Sequence, residues 1–290
     1  MVIYIIPEAV LVSKGSNMVV SLLHHFLSKY YPGVVHMVLN ADNGVGRNKN
    51  NTMLQYLMWR IGVGLSKEIE LAFMVAGHTK FGPDYGFGVF KRLYRHAEVH
   101  SVEDVCSLTH SSKLLLAGPV GTEQGESLIT CYDWQATLNN QEKIQGLKQF
   151  HHFSFSENHQ NVCIVKQFAG SPASQVVTGW DKNPELPQLI PPVGLSFARK
   201  EYLFRKIWPY VPDKFKDQLC PQPELPAAAS GGISAPSPSP ADVPLVDKES
   251  HDKTQAEPVD KTTASVCHKH APPTCGYCGK QGHRNAVRGD

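Results

Sequence analysis

Two acidic side chains among hydrogen-bonding neighbours are the first candidates for chemistry. The stretch "VLNADNGVGRNKNN" ends an apolar run in Asp42 and follows it with Asn43, Asn48, Lys49, Asn50 and Asn51. Further on, "AGHTKFGPDYGFG" holds His78, Lys80 and Asp84. Magnesium takes few protein carboxylates and completes its shell with water and phosphate oxygen. Asp42 and Asp84, brought together, would suit such an ion, and a pair of ions would suit phosphodiester transfer. His78 is the candidate proton carrier, and Asn43, Asn48, Lys49, Asn50 and Lys80 are the candidate contacts to nucleic acid. A plainer alternative stands beside this. Asp-Asn-Gly is ordinary turn chemistry, and Gly82-Pro83-Asp84 makes a helix start whose dipole favours Asp84. "GVGRNK" fits neither the dinucleotide fingerprint nor the Walker loop.

A second cluster lies near the C-terminus. Cys275, Cys278 and His283 form C-x2-C-x4-H, and Arg288 stands where a zinc knuckle has its last cysteine. Zinc takes four tetrahedral ligands, so a fourth would come from Cys267, His268 or His270 upstream. The alternative is an unstructured tail with an incomplete motif. With zinc bound, Lys280, His283 and Arg284 would suit nucleic-acid or protein contact. Cys106, Cys131, Cys163 and Cys220 are scattered and fit small core positions. Seven cysteines without a secretion signal point to reduced thiols in an intracellular compartment, and the nucleus is expected over the cytoplasm.

The elements that must position these residues follow from periodicity. Residues 2–6 form a short apolar strand, and Ser16 or Asn17 can cap a helix to about residue 31. Residues 34–39 form a β-branched strand of the buried parallel kind. Helix 52–61, strand 69–76 and helix 87–95 follow, the last anchored by Phe90, Leu93 and Tyr94. This alternation predicts an α/β layer with a parallel pair at its heart. A parallel strand delivers its last side chain to the carboxyl edge, where open sheets bind ligands. Asp42 and the block after residue 76 would share that edge, since neighbouring strands lie about 4.8 Å apart. Short strands at 114–116 and 128–132, a turn of helix capped by Asp133, a hairpin over 151–168 and a helix capped by Ser196 complete the folded part. Residues 221–265 are rich in Pro, Ser and Ala and predict a disordered linker.

The two blocks together resemble a family of uncharacterised animal proteins. The residues that carry the likeness are Asp42-Asn43, Gly46, Asn48-Lys49-Asn50, Gly77-His78-Thr79-Lys80-Phe81, Pro83-Asp84 and Phe87-Gly88. The family's shared domain has a D-N-C-x-G-Q-N-K-N loop and a G-H-T-K-F-x-P-D block. Pro7-Glu8, "HHFSF" and "GLSFARKEYLFRKI" agree, so the likeness spans most of residues 1–220. It implies a transposon-derived protein with a ribonuclease-H-like fold. Gly44 and Arg47 depart from the family's Cys and Gln. A ribonuclease-H-like site also takes its first aspartate from the first strand of the sheet. With Asp42 ending the fourth strand, residues 2–6 are the third, and the first two strands with their acid are expected upstream of Met1. Glu8 is a poor substitute, so no nuclease turnover is expected from this chain alone.

The expected fold class is therefore α/β: a partial ribonuclease-H-like mixed sheet with flanking helices over 1–110. An α+β extension over 111–220, a linker over 221–265 and an incomplete zinc segment over 266–290 would follow. The leading function is a transposase-derived, DNA- or RNA-binding protein with an incomplete magnesium site. The alternatives are a fragment of an active phosphodiester-transfer enzyme, or a protein-interaction scaffold whose Asn/Lys loop is purely structural. A net charge of +2 is too small to demand a polyanion by itself. No apolar run nears the roughly 20 residues that span a bilayer, so no membrane partner is expected.

Overall fold

The helix that joins the two site-bearing strands has almost no face left for water, and the fold is arranged around it. The computed structural model describes residues 1–44, 46–75, 81–159, 161–178 and 185–223. In chain order the elements are β1 (Val2–Ile5), α1 (Ser16–Tyr30), β2 (His36–Ala41), α2 (Asn51–Gly62), β3 (Glu68–Phe73), α3 (Gly82–Tyr94), α4 (Val102–His110) and β4 (Leu116–Pro119). There follow α5 (Trp134–Leu138), β5 (His152–Ser156), β6 (Val162–Lys166), β7 (Ser174–Val177), α6 (Phe197–Tyr202) and α7 (Asp213–Leu219). His78, Lys80, the zinc segment with Cys275, Cys278 and His283, and the predicted linker beyond residue 223 lie outside the described residues.

Five strands form one mixed sheet in the order β2-β3-β5-β6-β7. The β2–β3 pair is parallel, with Leu39 opposite Leu71 and Ala41 opposite Phe73, and the other three pairings are antiparallel. In β3, β5 and β6, alternate side chains are buried: Ile69, Leu71 and Phe73, then Phe153 and Phe155, then Cys163 and Val165. That is the period-2 pattern of a sheet with one face on a core. The helix α2 packs on this face and also touches α1 and α5. Residues 53–61 are buried on every side of α2, the signature of a helix enclosed by protein. Enclosure forces its polar side chains to find partners: Gln55 donates to the Gln141 carbonyl at 3.3 Å, and Arg60 donates to the Tyr56 hydroxyl at 3.2 Å.

The α/β class with a mixed sheet and flanking helices is as expected, but the parallel pair sits at one edge because β2 is terminal. Residues 2–6, expected as the third strand of this sheet, do not join it. Instead β1 pairs in parallel with β4 in a separate two-stranded sheet. Tyr4 lies opposite Gly118 in that pair, and a Cβ on Gly118 would meet the Tyr4 ring at 2.9 Å, so only glycine admits the ring. Strands from both sides of residue 110 build both sheets, because β4 completes β1 and β5 to β7 extend β2–β3.

Residues 128–132 are not a strand. The Tyr132 amide donates to the Ser21 hydroxyl at 2.9 Å, and Ile190 and Asp133 tie this segment to residues 188–190. Nor do Ser16 and Asn17 cap α1, whose N-cap is Gly15. Asn17 joins α1 to α5 instead, donating to Asp133 Oδ1 at 3.0 Å and accepting from the Gln135 amide at 2.9 Å. Asp133 caps α5 as predicted, with Trp134 fully buried behind it.

Ser21 holds this junction. Its buried hydroxyl accepts from both the Tyr132 amide and the Trp134 indole, the latter at 3.1 Å. Ser21→Ala orphans two buried donors and should lower stability by about 2 kcal/mol in urea denaturation. His24 meets the rings of Tyr56, Trp59, Tyr132 and Trp134 at 5.5–6.0 Å. Burial first, then the nearby Arg60 charge, lowers its pKa to about 4. A depressed imidazole contributes stability that is complete above its ordinary value near 6.5 and is lost as pH falls toward 4. The difference in stability between wild type and His24→Gln should therefore shrink across that window, as followed by thermal melts at stepped pH.

Candidate functional site

The register of β2 on β3 brings two chain segments to one edge. Ala41 is opposite Phe73, and the Met74 amide donates to the Ala41 carbonyl at 3.0 Å, so Asp42 leaves β2 where the chain leaves β3. Asp42 is exposed, yet its Oδ1 accepts from the Gly44 amide at 3.2 Å and from the Asn48 side-chain amide. The Gly44 carbonyl in turn accepts from the amides of Arg47, Asn48 and Lys49. The carboxylate closes this loop in the way short polar side chains organise turns.

The other loop residues have equally local roles. Asn50 is the N-cap of α2, accepting from the Met53 amide at 3.0 Å while donating to the Arg47 carbonyl at 3.0 Å. Asn51 accepts from the Ile144 amide at 3.0 Å, and the Asn43 side-chain oxygen is buried without a partner among the described residues. Lys49 is only 1% exposed. Its ammonium donates to the Lys148 carbonyl at 3.1 Å and lies 5.5 Å from the Phe73 ring centre. Burial lowers its pKa below the ordinary lysine value. The pKa of His151, just before β5, is lowered by burial first and then by the Lys49 charge, and its ring stacks on Phe168 at 5.5 Å.

Asp84 sits in the first turn of α3, where its Oδ2 accepts from the Phe81 amide at 3.0 Å. Both candidate magnesium ligands are thus bonded within their own turns. Among the described residues no three Asp, Glu, His or Cys side chains gather as a metal would require. Asp42 and Asp84 thus have no set of further acidic, histidine or cysteine ligands gathered with them among the described residues.

A feature the sequence reading passed over is the outer face of α3. Its buried side is narrow, made by Gly86 and Val89 with Phe90 and Leu93 packed on Ile3 and Leu115. Tyr94, expected as a core anchor, is 49% exposed, and Tyr85 and Phe87 are 65% and 48% exposed. Phe87, Lys91, Tyr94 and Arg95 recur at helical spacing on that outer face, with Arg92 and Tyr85 beside them. Among the described residues Lys91, Arg92 and Arg95 make no ion pair. The alternation of aromatic and basic residues in "YGFGVFKRLYRH" carries the signal, hidden in part by the expectation that Tyr94 is a core anchor.

Fold and site together define an α/β domain whose sheet edge is closed by a polar loop and whose third helix turns an aromatic and basic face to solvent. The chain belongs to the family described as a domain of unknown function (DUF7869), which matches residues 3–171. The matched span holds β1 to β6, and so both the Asp42 loop and α3. No curated protein and no solved structure matches the chain. None of the helices among the described residues is long and apolar enough to cross a membrane.

Loss of the Asn50 cap should weaken the start of α2, so Asn50→Ala should destabilise by about 1 kcal/mol in chemical denaturation. Asp42→Ala, without added metal, should raise amide exchange at Gly44. A carboxylate that serves only to bind metal would leave that exchange unchanged.

Proposed function

We propose that this chain is a transposase-derived protein that binds single-stranded nucleic acid, without phosphodiester turnover of its own. The observation that carries the reading is the outer face of α3. Basic residues in a helix's last turn also complement its dipole, so Lys91, Arg92 and Arg95 alone would say little. Of the three exposed aromatic rings beside them, Tyr94 meets Phe90 at 5.9 Å, while Tyr85 and Phe87 meet no ring among the described residues. Successive bases stack on aromatic side chains while cations track the backbone, and that pairing of chemistries accepts any base.

The transposon ancestry is supported by the resemblance of the Asp42 and His78 blocks, and a ribonuclease-H-like origin by the parallel pair that ends in Asp42. On this reading Asp42 and Asp84 are an incomplete magnesium site. His78 and Lys80, with the zinc-type residues Cys275, Cys278 and His283, belong to the same nucleic-acid function, in a nuclear protein. The scaffold alternative gains from one observation: Asn48 and Asn50 are occupied in holding the loop and capping α2. The stacking contact to a strand is therefore assigned to α3 rather than to those amides.

Fluorescence anisotropy with single-stranded DNA and RNA oligonucleotides across a salt series tests the assignment. The triple variant Lys91→Ala, Arg92→Ala, Arg95→Ala should flatten the slope of log K against log salt by about 2, since each phosphate contact to a single strand contributes about 0.7. An unchanged slope, or no binding by the wild type at low salt, would leave the scaffold reading in its place. Magnesium titration of wild type and Asp42→Ala, followed at the same oligonucleotide, should give separable curves if the carboxylate retains any metal role.

A further inference from the structure

Beside the Asp42 loop lies a cavity of about 500 Å³ between the start of α2 and the turn that precedes β5. Its polar lining is Lys49, Asn50, Asn51, Lys148 and Gln149, two cations and three amides with no aspartate or glutamate among the described residues that line it. We propose that this cavity binds a phosphate group, with Lys49 and Lys148 as the counter-charges.

The Lys49 ammonium is the centre of the site. It has three N–H donors, and the Lys148 carbonyl is the one acceptor it meets among the described residues. It has no carboxylate partner there, although it is almost wholly buried. Taking an ammonium out of water without a counter-charge costs several kcal/mol. The bond to Lys148 holds the ammonium against the turn that lines the cavity, and a phosphate there would supply both acceptors and opposite charge. Burial lowers the Lys49 pKa, and an anion beside it would act in the opposite direction. Asn51 uses its oxygen on Ile144, which leaves its amide hydrogens for a ligand. Lys148 and Gln149 are exposed at the mouth, where they can close on an incoming group.

The volume decides how large the ligand is. Small-molecule sites occupy roughly 300–1,000 Å³, so this cavity exceeds a bare phosphate and admits a body attached to it. Ile144 and Leu147 supply the apolar wall such a body needs. The phosphate can therefore arrive on a free mononucleotide-sized molecule or on the end of a nucleic-acid strand. The proposal does not rest on α3, whose outer face is a different surface.

Isothermal titration of the full chain with inorganic phosphate, then with a nucleoside 5′-monophosphate, tests it. Saturable one-to-one binding is expected, weakened about tenfold or more in Lys148→Glu, as loss of a charge-assisted bond requires. Lys148 is exposed, so this variant keeps its fold, which near-UV dichroism of the buried Trp134 verifies. Lys49→Met should abolish phosphate binding where it folds, and Lys148→Glu decides the matter where it does not. The triple α3 variant should bind phosphate as the wild type does, even if nucleic-acid binding fails altogether. Oligonucleotides with and without a 5′-phosphate then identify the source: a preference for the phosphorylated strand points to a nucleic-acid end, and equal binding points to a free small molecule. Absence of saturable phosphate binding, or equal affinity in Lys148→Glu, overturns the site.

Discussion

Enclosure of α2 is the constraint from which most of the structure follows. A helix buried on every side needs a sheet below it and other helices above it, and it needs each polar side chain paired. The mixed sheet, α1 and α5 meet the first need, while Gln55, Tyr56 and Arg60 meet the second within a few ångströms. Because α2 joins β2 to β3, its position also sets the register of those strands and hence the edge at which Asp42 emerges. The junction of α1 with α5 is specified by polar contacts, with Asn17, Ser21 and Asp133 each serving partners far along the chain. Displacing one of them disturbs the packing of Trp134 and, through it, the enclosure of α2.

That enclosure explains why a loop so rich in hydrogen-bonding side chains is turned inward. The chain must pass from the exposed tip of β2 to the start of a buried helix over a few residues. Backbone amides freed at the helix start need acceptors, and Asn50 provides one. The Asp42 carboxylate closes the turn before it, and Lys49 follows the chain into the interior. A loop of this composition would ordinarily be taken for a ligand-contacting segment, yet most of its groups are engaged by the fold. Two groups are exceptions: the Asn43 side-chain oxygen is buried without a partner among the described residues, and burial of the Lys49 ammonium creates an electrostatic need that those residues do not meet. The two surfaces assigned a role are thus of different kinds: α3 offers aromatic and basic groups the fold does not use, and the cavity offers a charge the fold has left uncompensated.

Local periodicity made much of the fold legible. The apolar runs at β2 and β3, the helical spacing of Met53, Leu54, Leu57 and Ile61, the Asp133 and Ser196 caps, and the hairpin around residues 157–160 are local patterns. Each depends on neighbours within a few positions, which is why they could be seen without coordinates. Strand partnership is not local. Nothing in "VIYI" says that β1 will choose β4 over the larger sheet, because the partner, with Gly118 opposite Tyr4, lies more than a hundred residues away.

The same division runs through the site. By itself the sequence determined that Asp42 ends a strand, that the residues around it can hydrogen-bond, and that the segment over α3 is helical. Tertiary structure alone decided how those groups are used. Whether a lysine reaches solvent or is swallowed, and whether an aromatic ring packs or protrudes, depends on which neighbours arrive from distant parts of the chain. Lys49 and Tyr94 went opposite ways from what their types favour because β5 with the turn before it covers the one, while the narrow contact of α3 with Ile3 and Leu115 leaves the other uncovered.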